Sequence, residues 1–185
     1  MTSILITGAT GTLGTALCLQ LKDNQNYTRV VCYSRSWDKQ DILRERLGNH
    51  PKFRYMIGDI LSVDRLKLAM RDIDHVIHAA AFKSIPAAEY NPFEVLEVNG
   101  IGSNNVFRAA LDSGVEKVLF ISSDKACQPL NLYGVTKSLG QSLAVAYNSY
   151  SGKDGTRFSV ARYANSAPTL WAFLMFLQLS GLCPT

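Results

Sequence analysis

At 185 residues the chain is long enough for one α/β domain with a buried core and short for a two-domain enzyme. A composition of 47% hydrophobic and 18% charged residues, with no low-complexity tract, places it among soluble globular proteins. The net charge of +4 comes from Lys and Arg scattered singly, which argues against a nucleic-acid surface and suits an anionic nucleotide ligand.

Short apolar runs alternate with helical patterns from one end of the chain to the other, the signature of a parallel sheet with helical crossovers. The first strand is expected at residues 4–7, followed by a glycine-rich turn and a helix at 13–21. Strands at 30–33, 53–57 and 75–78 alternate with helices at 39–46 and 63–70. One long helix is expected at 92–111, with Pro92 in its first turn, then a strand at 118–122, a helix at 133–150 and a strand at 158–161. Near-continuous apolar character in the strands means that both faces of the sheet are covered. The expected fold is therefore α/β, a Rossmann-type doubly wound parallel sheet with helices on both faces. Residues 170–179 form an apolar run too short for a membrane span, which needs roughly 20 residues, and read as a buried helix.

Four cysteines, Cys18, Cys32, Cys127 and Cys183, show no C-x-x-C spacing, and the N-terminus lacks a secretory pattern. Both features point to a reducing, cytoplasmic setting. His50, His75 and His78 lack metal-ligand spacing, and no metal is expected.

The turn Gly8-Ala9-Thr10-Gly11-Thr12-Leu13-Gly14 lies between the first strand and the first helix. In that context glycines permit a tight turn and close backbone approach, and the helix N-terminus offers N–H groups to a pyrophosphate. A glycine-rich turn without a ligand is the alternative. At the end of the second strand, where an NAD site usually carries an acidic residue, the chain reads Tyr33-Ser34-Arg35. A hydroxyl and a guanidinium there, with Lys39 nearby, suit the 2′-phosphate of NADP, unless Arg35 is an ordinary solvated charge. Gly58-Asp59-Ile60, after the third strand, are expected to flank the adenine.

Tyr133-Gly134-Val135-Thr136-Lys137 sets a phenol and an ammonium four residues apart on one helical face, downstream of a strand ending in Ser122-Ser123. Lys137, together with an oxidised nicotinamide, is expected to lower the Tyr133 phenol so that it takes a proton from a substrate alcohol. Asp124-Lys125 offers an acid and a base at the same sheet edge, or else forms a solvated ion pair.

With these residues in place, the chain resembles the extended short-chain dehydrogenase/reductase superfamily. Within it, the resemblance is to the UDP-N-acetylglucosamine 4,6-dehydratase (inverting) group of the polysaccharide biosynthesis protein family. The stretches that carry it are Gly8–Gly14, Ser34-Arg35 with Lys39-Gln40, Gly58-Asp59-Ile60, and His78-Ala79-Ala80-Ala81-Phe82-Lys83. Further ones are Glu89-Tyr90-Asn91-Pro92, Asn99 with Gly102 and Asn105, Ser123-Asp124-Lys125-Ala126, and Asn131 to Lys137. Large membrane-anchored relatives typically carry Met where this chain has Tyr133, so the resemblance is closer to the short soluble form.

The resemblance implies cofactor contacts from Gly8, Thr10, Gly11, Thr12, Leu13 and Gly14, from Ser34, Arg35, Lys39, Asp59 and Ile60, and from Ala79, Ala80, Lys83, Ser122, Tyr133 and Lys137. It implies substrate contacts from Lys83, Ser123 and Asn165. The implied chemistry is a lyase reaction on a UDP-sugar: Tyr133 deprotonates the 4-hydroxyl as hydride leaves, Lys125 removes the C5 proton, and Asp124 assists departure of the 6-hydroxyl as water. No nucleic-acid or membrane partner is expected, and a homo-oligomer is.

Past Arg162-Tyr163-Ala164-Asn165 the pattern departs from the family, with Ser166 and Thr169-Leu170-Trp171-Ala172 in place of its usual elements. The expected organisation is a cofactor domain over residues 1–165 and the start of a largely missing substrate region over 166–185. A nucleotide-sugar 4-epimerase, which has no need of Asp124-Lys125, and a non-catalytic NADP-binding module are the competing readings.

Overall fold

The computed structural model describes residues 2–153 and 155–164. Each expected strand forms, generally longer than its apolar run: β1 Thr2–Thr7, β2 Tyr27–Ser34, β3 Phe53–Ile57, β4 His75–His78, β5 Lys117–Ser123 and β6 Arg157–Tyr163. All neighbours pair in parallel, in the order β3-β2-β1-β4-β5-β6. This is the doubly wound Rossmann order, whose direction reverses between β1 and β4.

The helices are α1 Thr12–Asp23, α2 Trp37–Arg46, α3 Val63–Ala69, α4 Ile85–Tyr90, α5 Pro92–Val95, α6 Gly102–Asp112 and α7 Leu132–Ser151. Side chains alternate along each strand, so adjacent residues enter different cores. Ile4 and Ile6 of β1, with Val30 and Cys32 of β2, pack beneath Leu17, Leu21 and Leu43 of α1 and α2. Leu5, Val31, Val76 and Val118 face the other way, against Leu66, Val106, Phe107 and Ala144 of α3, α6 and α7. Burial on both faces explains why the strands read as continuous apolar runs.

The single helix expected at 92–111 is the one element that the structure divides. α4 precedes it and was not anticipated, being too short to show a helical period. Asn91 leaves helical geometry at φ −128° and ψ 66°, as a residue before proline tends to do, and α5 restarts at Pro92. Residues Leu96–Ile101 then form a π-helical turn before α6, closed by the Gly102 N–H donating to the Glu97 carbonyl. Such widened turns occur mostly as isolated insertions in α-helices, often near functional sites.

Cys18 on α1 and Cys32 on β2, separated in sequence, meet in the core as free thiols with sulfurs 3.6 Å apart. The hydrogen bond to Cys18, followed by burial, pushes the Cys32 thiol up. Among the described residues no helix is long and apolar enough to cross a membrane. The expected helix at 170–179, together with Asn165 and Cys183, lies outside the described residues.

Candidate functional site

β1 ends at Thr7 and the chain turns through Gly8 at φ +69°, with the Gly8 N–H donating to the Tyr33 carbonyl at 2.9 Å. A Cβ on Gly8 would lie 2.7 Å from the Ala80 nitrogen, and one on Gly14 would lie 2.3 Å from the Gly8 oxygen. The loop, α1 and the end of β4 thus approach to a distance that only hydrogen tolerates. α1 starts without a side-chain cap, so its first N–H groups are left for another acceptor.

These elements border a cleft of about 320 Å³ at the carboxyl edge of the sheet, where the strand order reverses. Every residue named above for cofactor contact lines it, from the glycine loop through Ser34, Arg35, Lys39, Asp59 and Ile60 to Ala79, Ala80, Lys83, Ser122, Tyr133 and Lys137. Gly58, expected beside the adenine, lines it as well, and so do Tyr33, Ser36, Ala81, Val98, Ile121 and Tyr163, which were not anticipated. Tyr163 was within reach of sequence reasoning, since it ends β6 and residues at the carboxyl ends of strands converge on such a cleft.

At one end, the Arg35 guanidinium sits 3.8 Å from the Asp59 carboxylate, and its side chain is 70% exposed. Ser36 caps α2 by accepting from the Lys39 N–H at 3.3 Å, which fixes the start of the helix bearing Lys39. Gln40, buried one residue further on, donates from Nε2 to Ser34 Oγ and to the Met56 carbonyl, each at 2.9 Å.

At the other end, Asn131 caps α7 by accepting from the Gly134 N–H at 2.9 Å, setting Tyr133 and Lys137 on the helical turns that face β5. Lys137 Nζ donates to the Ile121 carbonyl at 2.8 Å and lies 4.7 Å from the centre of the Phe120 ring. Burial lowers the Lys137 amine to about 7. Burial raises the Tyr133 phenol, with the charge of Tyr163 adding to that effect and a hydrogen bond with Ser123 opposing it. The protein itself therefore holds this phenol above its ordinary value, whereas the sequence reading expected Lys137 and a cationic nicotinamide together to lower it.

Ser122 is fully buried and accepts from Gln141 Nε2 at 2.6 Å, while Arg162 Nε donates to Gln141 Oε1 at 2.8 Å. Ser123, Asp124 and Lys125 follow directly in the chain and are not among the residues that line the cleft. The Ser123 hydroxyl donates to Asp124 Oδ1 at 2.8 Å, and Lys125 Nζ lies 3.2 Å from the same oxygen. The Ser123 bond, with the contributions of Lys125, holds the exposed Asp124 carboxyl below its ordinary value against the opposing effect of burial.

Several motif residues serve as scaffold. Asn99, turned inward by the π turn, spans the Phe82 N–H and carbonyl and donates to Thr136 Oγ1 on α7. Asn105 donates to the Ile60 and Leu61 carbonyls, and Glu89 accepts from the Leu132 N–H. His78 joins Thr7 Oγ1 at 2.7 Å to Ser103 Oγ at 3.0 Å, and Thr7 in turn accepts from the Ala80 N–H. Burial lowers the His78 imidazole to about 3, so it is neutral. Among the described residues no group of His, Cys, Asp and Glu is arranged to hold a metal ion.

The donor set fits a dinucleotide: a glycine cradle that a single Cβ would fill, an uncapped helix N-terminus, and a guanidinium, an ammonium and a hydroxyl at one end.

Comparison with known proteins agrees with this fold. The chain is 46% identical to the UDP-N-acetylglucosamine 4,6-dehydratase (inverting) of Campylobacter jejuni, over 88% of its own length and 48% of that protein. It is 39% identical to a UDP-glucose 4-epimerase of Rickettsia bellii, again over 88% of this chain and 48% of the relative. The chain thus spans about half the length of the curated relatives it matches. Among solved structures, Pen from Bacillus thuringiensis superposes with a TM-score of 0.83 at 38% identity, covering 88% of this chain and 49% of that one. MoeE5 in complex with UDP-glucose and NAD gives 0.70 at 25% identity, covering 86% and 52%. Residues 4–169 match the polysaccharide biosynthesis protein family, and the chain belongs to that family.

Proposed function

We propose that this chain is the cofactor-binding and proton-transferring part of an NADP-dependent nucleotide-sugar 4,6-dehydratase acting on UDP-N-acetylglucosamine, a cytoplasmic lyase of surface-glycan synthesis. In this reading residues 1–165 are the cofactor domain and 166–185 begin a substrate region. The observation that carries it is one continuous cleft with Ser34, Arg35 and Lys39 at one end and Tyr133 and Lys137 at the other, with the Asp124-Lys125 pair following directly on the end of β5, whose Ser122 lines the cleft. The 46% identity to the Campylobacter jejuni dehydratase supports the same choice.

A nicotinamide bound here would accept a hydride and later return it. With a cationic nicotinamide bound near Lys137, the Tyr133 phenol would ionise more readily and take the proton of the sugar 4-hydroxyl, and the Ser123 hydroxyl, turned to it from Asp124, favours the ionised form. The 4-ketone so formed acidifies the C5 proton. Asp124 and Lys125 share a hydrogen bond at 3.2 Å, so moving one proton from the ammonium to the carboxylate turns the ion pair into a neutral base and a neutral acid. Covering the pair with a sugar favours this neutral form, because burial disfavours charge. Lys125 then removes the C5 proton, and Asp124 gives its proton to the departing 6-hydroxyl, which leaves as water. Lys83, Ser123 and Asn165 are the proposed sugar contacts, and a homo-oligomer the proposed assembly.

The identity to the Rickettsia bellii enzyme favours a 4-epimerase as second reading. Mass spectrometry of nucleotide carried through purification tests the cofactor. Incubation with UDP-N-acetylglucosamine tests the reaction: a product lighter by one water supports the dehydratase, and UDP-N-acetylgalactosamine at unchanged mass supports the epimerase.

A further inference from the structure

Gln40 has no place in the chemistry above, yet it is buried to 3% exposure, unusual for a free amide. Its Nε2 is 2.9 Å from the Met56 carbonyl and 2.9 Å from Ser34 Oγ, with the Ser34 carbonyl at 3.2 Å. A backbone carbonyl only accepts, so the amide presents its NH₂ group at this position; one hydrogen goes to the Met56 carbonyl and the other to Ser34, whose Oγ at 2.9 Å is nearer than its carbonyl at 3.2 Å. The hydrogen of the Ser34 hydroxyl is left to point elsewhere. Ser34 borders the cleft, and among the described residues its hydroxyl has no recorded acceptor.

We infer that Gln40 is a specificity-determining positioning residue, which by donating to Ser34 Oγ turns that hydroxyl into a hydrogen donor toward the 2′-phosphate of NADP. The inference rests on the cofactor assignment proposed above. A hydroxyl left to itself donates or accepts as its ligand requires, and so serves a ribose hydroxyl and a phosphate alike. With one lone pair taken by Gln40, donation is favoured, and a bond donated to an anion is roughly twice as strong as one between neutral groups. The preference gained is for the phosphate. Met56 and Ser34 lie on β3 and β2, which pair through Ser34 and Ile57, so the amide is held by the sheet itself.

The test measures NADPH and NADH dissociation constants separately, by calorimetry on the full chain, for the wild type and for Gln40→Met, Ser34→Ala and the double variant. Met keeps the length of Gln without its donors. Gln40→Met is expected to raise the ratio of the NADPH constant to the NADH constant about five- to tenfold, the difference between a charged and a neutral hydrogen bond. Ser34→Ala should raise the ratio similarly, and Gln40→Met should add less than about twofold in the Ser34→Ala background. Equal weakening of both cofactors by Gln40→Met would overturn the inference, as would an undiminished effect in the absence of Ser34. If Gln40→Met does not fold, Gln40→Asn, which keeps the amide but draws it back from Ser34, takes its place with the same expected rise in the ratio, and an unchanged ratio overturns the inference. The wild-type ratio reports on the NADP assignment and the change on substitution reports on Gln40, so the two fail separately.

Discussion

Lys137 Nζ donates to the Ile121 carbonyl oxygen at 2.8 Å from inside the protein, with only 4% of the residue exposed. Burial lowers this amine from 10.5 to about 7. A depressed folded value means that the unfolded chain binds more protons between those limits, so the contribution of Lys137 to stability is present above 10.5 and lost as pH falls through about 7. Urea unfolding at pH 6.5, 8 and 9.5 should show the wild type gaining stability relative to Lys137→Met as pH rises. Parallel curves would mean that the amine is hydrated and ordinary.

His78 makes the complementary prediction on the acid side. Its imidazole is lowered from 6.5 to about 3, so its contribution is complete above 6.5 and lost as pH falls toward 3. The stability advantage of wild type over His78→Asn should shrink between pH 7 and pH 4, read by denaturant midpoint. An advantage that stays constant would contradict a neutral, buried imidazole.

Arg35 is largely exposed and already near Asp59, so its role is separable from folding. Arg35→Ala should weaken NADPH about tenfold while leaving NADH within about twofold, because only the former loses charge-assisted bonds. Calorimetric titration with each nucleotide measures this, and equal losses would return Arg35 to the status of a solvated surface charge.

Gly14→Ala tests the cradle. The added methyl would meet the Gly8 oxygen at 2.3 Å and the Ala9 Cα at 2.6 Å, both backbone atoms with little room to yield. Overpacking of this kind costs about 1–3 kcal/mol, or a melting point lower by several degrees in a chain of this size. Cofactor affinity should fall with it. A variant of unchanged melting point would show that α1 can withdraw from the loop.

Lys125→Ala addresses the proposed elimination. Nicotinamide cofactor affinity should remain within about twofold, since Lys125 lies outside the cleft lining, while loss of water from UDP-N-acetylglucosamine should fall by about 10²–10⁴, the usual contribution of a positioned base. Product mass spectrometry with pure substrate measures the second quantity. Retained elimination would assign the C5 proton to another group.

The strands and most helices were legible because their residues face one or two cores, and burial writes its period directly into the chain. The glycine loop and the Tyr133–Lys137 pair were legible for a different reason: strand, turn and helix occur around them in the order that chemistry at a sheet edge requires. What sequence did not disclose depends on neighbours distant in the chain. Gln40 and Gln141 read as polar residues on helices, and only the approach of β2 and β5 shows each amide gripping a serine of the cleft. Cys18 and Cys32 carry no spacing signal, although α1 and β2 bring their sulfurs together. α4 was missed because its six residues span less than two turns, and its burial through Ala88 against Tyr133 is a tertiary fact.

The π turn at Leu96–Ile101 separates two things that an α-helix would bind together. A ring closed over five residues holds one more residue than an α-helical ring, so the extra position is absorbed locally and α6 keeps its apolar face toward β4 and β5. Removing one residue from this turn would leave Val106 and Phe107 in phase with the core but carry Asn99 off the Phe82 backbone and Thr136. The turn is therefore a place where the cleft can be retuned by a change in length alone, with the sheet and its covering helices left as they are.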